Sequence, residues 1–226
     1  MQRIARAVVA ILLLLSMSGA ARSEESAKIA VGLKTWVNSW KSEEPGSESM
    51  KSNSIALVGW AAEAEFSNRV FVEASYLVSV SDYEFDQTVV TTERERNDFD
   101  AAIGYQFSHN MGYFVGYRSS QFLERATKSK ETVSGPFVGV RGTAPLLGAV
   151  SLFGKLTYLP LSNKATFTTT TQRETSTGWF AEAGIKYYFT GRVSGTIGYQ
   201  YETSQGENTK IRDTFAGPTL GVMYSF

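Results

Sequence analysis

Apolar residues recur at every second position along most of this chain, in runs of about ten residues separated by polar punctuation. One run reads Val70, Val72, Ala74, Tyr76, Val78 and Val80, and another Phe99, Ala101, Ile103, Tyr105 and Phe107. The last reads Ala216, Pro218, Leu220, Val222, Tyr224 and Phe226. A period of two places alternate side chains on opposite faces of a β-strand, so each run predicts a strand with one apolar face. The pattern predicts ten strands, at 28–40, 53–66, 69–81, 95–107, 112–122, 132–143, 149–161, 175–189, 192–202 and 211–226. Short connections such as Ser67-Asn68, Ser108-His109-Asn110-Met111, Ala144 to Gly148 and Thr190-Gly191 alternate with longer polar stretches. Those stretches are Lys41–Lys51, Asp82–Glu93, Leu123–Glu131, Ser162–Arg173 and Thr203–Thr209.

The strand, long loop, strand, short turn unit recurs about every 40 residues, beginning near Gly59, Phe99, Gly135, Gly178 and Gly217. Across the middle of each of the ten strands one parity class carries no charge, whereas the alternate class carries the charges. Aromatic residues gather at the two ends of the uncharged faces. Phe66, Phe107, Tyr113, Tyr187, Phe189, Tyr224 and Phe226 lie beside the short turns, and Trp40, Phe99, Tyr158, Trp179 and Tyr201 lie at the other end. Tilted strands of about ten residues cross an apolar band of roughly 25 Å, which puts these aromatics at its two rims. A two-sheet sandwich also alternates, but it has no reason to end its buried faces in aromatic rows. The expectation is an all-β, transmembrane, antiparallel up-and-down β-barrel of ten strands. Eight strands is the alternative, and it leaves one of the five repeats unexplained.

Residues 1–21 break the pattern. Arg3 and Arg6 precede the apolar run Ala7–Leu15, and Ser18-Gly19-Ala20-Ala21 supplies small residues for cleavage. That is the layout of a secretory signal peptide, and the run is too short to span a membrane as a helix. The expected organisation is a signal peptide at 1–21 followed by a barrel at 22–226. Removing Arg3 and Arg6 from 22 basic against 22 acidic residues leaves a net charge of −2. No basic footprint for nucleic acid remains, and the lack of cysteine excludes a disulfide scaffold or a lipidated cysteine.

The closing run Leu220-Gly221-Val222-Met223-Tyr224-Ser225-Phe226 resembles the last strand of bacterial outer-membrane β-barrel proteins. The general likeness is to small barrels of the OmpA, OmpX and OmpW kind and to porin-like proteins, and it covers the whole chain after the signal. Ten strands departs from the eight usual in those small barrels. The resemblance implies insertion by the barrel-assembly machinery through Leu220, Val222, Tyr224 and Phe226, a place in the Gram-negative cell outer membrane, and contact with lipopolysaccharide. Both termini are expected in the periplasm, and the protein is expected to be a monomer.

The inward class carries Lys34, Arg118, Arg141, Lys155 and Lys186 against Glu63, Glu65, Glu73, Asp100 and Glu182. These ten are the candidate lumen network. Eight-stranded barrels are filled by side chains and barrels of sixteen or more hold a channel, so ten strands lie near the filled limit. The leading expectation is a structural or surface-interaction protein with a plugged lumen and paired interior charges. A narrow porin-like channel for ions or small solutes is the alternative, and an enzyme acting on lipid or peptide is third. The chain has one histidine, His109, in a short turn, and no cysteine, so no His/Asp, Ser/His or Cys constellation forms. No catalytic residue, metal ligand or cofactor is predicted. Arg125, Lys128, Lys130 and Lys164 are candidates for binding lipopolysaccharide phosphates. Pro136 and Pro218 stand at matched places inside strands and predict a shared bulge.

Overall fold

A computed structural model describes residues 27–85, 92–124, 127, 129–166 and 171–226. The signal-peptide reading of residues 1–21 lies outside them. The described elements are all strands: β1 (Lys28–Glu43), β2 (Met50–Glu65), β3 (Val70–Ser79), β4 (Tyr83–Phe85), β5 (Thr92–Gln106), β6 (Met111–Glu124), β7 (Lys130–Leu147), β8 (Val150–Thr166), β9 (Thr171–Tyr188), β10 (Val193–Gly206) and β11 (Arg212–Ser225). Apart from β3 and β4, which do not pair with each other, each pairs antiparallel with its sequence neighbours, and β1 also pairs with β11 from Ala30↔Ser225 to Glu43↔Arg212. That last pairing closes the sheet, so no edge is left to recruit another chain. Short β4 pairs with β2 and β5, as β3 does, and continues the β3 stave after a break at residues 80–82. The barrel therefore has ten staves.

Tight turns at one end hold by local bonds. Arg69 adopts a φ of 67°, and Asn68 Oδ1 accepts the Val70 N–H at 3.1 Å. Ser108 Oγ accepts the N–H groups of Asn110 and Met111, and Gly148 takes a φ of 54°. The start of β1 and the C-terminus sit at this same end, where the Phe226 N–H reaches the Ile29 carbonyl.

At the other end the strands run much further than alternation alone suggests. β8 has 17 residues and β9 has 18, and their ladder continues to Thr166↔Thr171. Among the described residues, most positions in the stretches expected as long loops are paired strand, and Tyr83–Phe85 adds a strand inside the expected Asp82–Glu93 loop. The physical reason is that Ser, Thr and charged residues pair well where both faces of a strand meet water. Apolar alternation marks only the part facing lipid.

The outward class is apolar and exposed, as with Leu33, Ile103, Val115, Ile197 and Leu220. Aromatics ring its turn end, where Tyr187 meets Phe189 at 5.0 Å and Tyr224 meets Phe226 at 5.1 Å. On the opposite rim Tyr158 packs on Trp179 at 5.1 Å. Trp40 does not join that rim. It shares parity with Lys34 and Trp36, is 5% exposed, and lies inside the barrel. Nor do the prolines make bulges. The β7–β8 register is unchanged from Ser134↔Ser162 to Val138↔Tyr158, and the β1–β11 register from Trp36↔Thr219 to Ser39↔Ala216. Each ladder skips a few residues opposite the missing N–H and resumes in step. A proline beside a glycine costs the sheet bonds there without adding a residue. The described register shifts lie elsewhere, at Ser39/Lys41 and Pro145/Leu147.

Candidate functional site: the barrel lumen

Inward glycines set the construction of the lumen. A Cβ on Gly104 would collide with the Phe71 ring, one on Gly116 with Phe137, and one on Gly139 with Phe114. Each phenylalanine therefore lies flat against a neighbouring strand, and the cations lie on the phenylalanines. The Arg141 guanidinium is 3.4 Å from the Phe71 centroid, Lys155 Nζ is 4.7 Å from Phe114, and Arg118 is 4.8 Å from Phe180. Carboxylates complete the layers. Arg118 donates to Asp100 at 2.6 and 2.9 Å. Lys34 bonds Glu182 at 2.9 Å, Arg141 bonds Glu63 and Glu65, and Lys155 bonds Glu73. Nine of the ten residues expected in the lumen network are thus ion-paired. Lys186 instead lies over the Tyr188 ring at 5.2 Å.

The most buried charges escaped the sequence reading. Arg96 is fully buried, donates to Asp98 and Glu202 at 2.9 Å each, and Glu202 also stands 3.1 Å from Arg118. Four rings and one partner enclose this group. The guanidinium lies 4.0 Å from the Phe215 centroid, 5.0 Å from Trp36 and 5.3 Å from Phe122, and Tyr83 donates to Asn38 at 2.5 Å beside them. Above it Trp40 packs on Tyr83, Phe85, Phe122 and Phe215 with centroids 5.0–5.7 Å away, and its Nε1 donates to Asp213 at 2.8 Å. Arg96, Asp98 and Glu202 have the inward parity of strands whose ends were drawn at residues 95 and 202, so parity carried to the strand ends finds them.

This plug crosses the lumen at the level of the long-loop rim, where Phe99 faces outward next to inward Asp98. It separates two cavities that share no lining residue. The inner one holds about 460 Å³, extends to the turn end, and is lined by the ion-pair layers together with Thr157, Gln200 and Lys186. The outer one holds about 280 Å³ between Trp40, Arg94, Glu131, Glu174 and Asp213. Glu131 accepts from Asn163 at 2.7 Å and lies 3.6 Å from Arg94, and burial pushes its carboxyl above the usual range. Burial also acts on Glu174, but hydrogen bonds from Thr209 and Asn208 outweigh it and hold that carboxyl low. His109 stands at the mouth of the inner cavity, at the opposite end of the barrel from the outer one.

No curated protein matches the chain. Among solved structures, the outer membrane protease OmpT from Escherichia coli superposes with a TM-score of 0.63 at 13% identity, covering 92% of this chain and 99% of that one. At that identity the likeness shows the fold alone. The translocator domain of the autotransporter NalP from Neisseria meningitidis gives a TM-score of 0.49 at 10% identity, covering 100% of this chain and 98% of that one. Ail of Yersinia pestis gives 0.39 at 14% identity, with coverage of 88% and 99%. Residues 7–226 match the family described as the outer membrane protein beta-barrel domain. The closed ten-stave barrel, its aromatic rims and that match over nearly the whole chain establish that the protein belongs to the outer membrane protein beta-barrel domain family.

Proposed function

We propose that this outer-membrane barrel is sealed: a structural or surface-interaction protein that neither conducts solutes nor catalyses a reaction. The carrying observation is the plug centred on Arg96, fully buried between Asp98, Glu202 and the rings of Trp36, Phe122 and Phe215. A buried guanidinium freed from its partners costs about 3–5 kcal/mol, so the plug holds its place without an outside trigger. In planar bilayers the refolded wild type is expected to be electrically silent. Arg96→Ala and Tyr83→Ala are expected to give discrete conductance steps. Steady wild-type steps of one size would favour the narrow-channel reading and overturn this one.

The orientation that fits a secreted barrel places the short turns and both termini in the periplasm and the long strand extensions outside. The chain is taken as a monomer assembled through Leu220, Val222, Tyr224 and Phe226. On the outer extension, exposed Lys164 faces exposed Arg173 across β8–β9, and exposed Lys130 stands diagonally opposite on β7. Three cations on one outward face suit the phosphates of lipopolysaccharide. Arg125 and Lys128, predicted for the same role, lie outside the described residues. The triple change Lys130→Ala, Lys164→Ala, Arg173→Ala is expected to weaken lipopolysaccharide retention in a salt-sensitive manner, measured by co-purification. Retention unchanged by the triple variant would exclude this surface.

A further inference from the structure

The inner cavity is built as more than filler. Its volume of about 460 Å³ falls in the range of small-molecule sites. Two of its lining side chains are nearly inaccessible, Gln200 at 2% and Thr157 at 3%, and neither Gln200 Oε1 nor Thr157 Oγ1 has a protein partner. A buried polar atom left unpaired costs about 1–3 kcal/mol, so an occupant that supplies the bond is favoured. These two residues flank β9 from either side, Thr157 opposite Phe180 and Gln200 opposite Glu182. Gln200 Oε1 can only accept, so the occupant must bring an N–H or O–H to this depth.

The charges give the occupant its other end. The deep carboxylates Glu182, Asp100 and Glu73 are each bonded to Lys34, Arg118 and Lys155 respectively. Lys186 and Arg192, nearer the turn end of the same cavity, have no carboxylate partner among the described residues. The entrance is therefore left with uncompensated positive charge. Lys186 stands four residues along β9 from Glu182, about 13 Å at strand rise. Thr196 on β10 lines the wall between them.

We propose that this chamber binds one small carboxylate carrying its own hydrogen-bond donors, of dipeptide or sugar-acid size. The carboxylate lies at Lys186 and Arg192, and an amino or hydroxyl group reaches Gln200 and Thr157. The site requires the chamber and not the plug, so it stands independently of whether the barrel conducts.

The test is calorimetric titration of the refolded, detergent-solubilised chain with alanyl-glutamate in one arm and glucuronate in the other. Saturable binding at about one site per chain is expected in at least one arm, and the arm that binds tells the two sources apart. Lys186→Met and Gln200→Leu are each expected to weaken it about tenfold or more. Heat-modifiable gel mobility checks that both variants fold, and Lys51→Ala, an exposed change at the far end of the barrel, serves as a variant that leaves binding intact. Absence of binding in both arms up to about 10 mM would overturn the proposal. So would binding that neither chamber substitution alters. A conducting wild type would sink the sealed-barrel reading while leaving this result to stand or fall alone.

Discussion

At Gly104 the absent side chain is what lets the lumen fill. The Phe71 ring occupies the space a Cβ would take, and Arg141 then has a flat face to rest on. Gly104→Ala is expected to displace that ring and lower unfolding stability by about 1–3 kcal/mol, the cost of overpacking a tight interior. Urea titration of the detergent-refolded protein would measure it. At Gly217 an added Cβ would strike the Val37 carbonyl, a backbone atom that cannot rotate away. A larger loss is expected there than at Gly104 in the same assay. Arg96→Met removes the charge and leaves Asp98 and Glu202 facing each other in a buried site. About 3–5 kcal/mol should be lost, and Arg96→Met with Glu202→Gln should recover part of it.

At the scale of elements, the strand extensions are held by capping contacts as well as by their ladders. Glu174 on β9 accepts from the N–H groups of Asn208 and Thr209 at 2.8 Å and so ties the β10–β11 connection to its neighbour. Burial works against the charged form, but those hydrogen bonds prevail and the folded carboxyl sits low. The anchoring is therefore complete above the ordinary carboxylate pKa and disappears as pH falls through the lower folded value. Amide exchange at Asn208 and Thr209 is expected to be slow near neutral pH and to quicken in acid beyond the intrinsic trend. In Glu174→Gln it should be quick at every pH. Exchange at Asn208 with no acid step in the wild type would show that the loop is held by something else.

For the molecule as a whole, closure of β1 on β11 satisfies every stave on both sides, so the outward surface can be purely apolar across the membrane band. Ile197 is 67% exposed and stands between Ile185 and Leu220 in the middle of that band. Ile197→Arg is expected to cost about 2–4 kcal/mol in a lipid bilayer, and much less near either rim. Unfolding from lipid vesicles by guanidinium would report it. The same exchange at Thr196, which points into the inner chamber, should not show that dependence on depth.

Alternation along the chain was enough to determine the strand number, the antiparallel order and which face meets lipid, because a period of two with one uncharged parity class has few solutions in a membrane. It also placed Lys34, Glu182, Arg118, Asp100, Arg141 and Glu73 inside, since parity alone decides that. It could not show how far the strands run beyond the lipid, where polar residues suit loop and strand equally. It could not pair Arg96 with Glu202, 106 positions apart, or seat Trp40 against Tyr83 and Phe215. Nor could it find the gap that leaves Gln200 and Thr157 without partners. Those features depend on which residues meet across the lumen once the sheet has closed, and only the tertiary structure decides that.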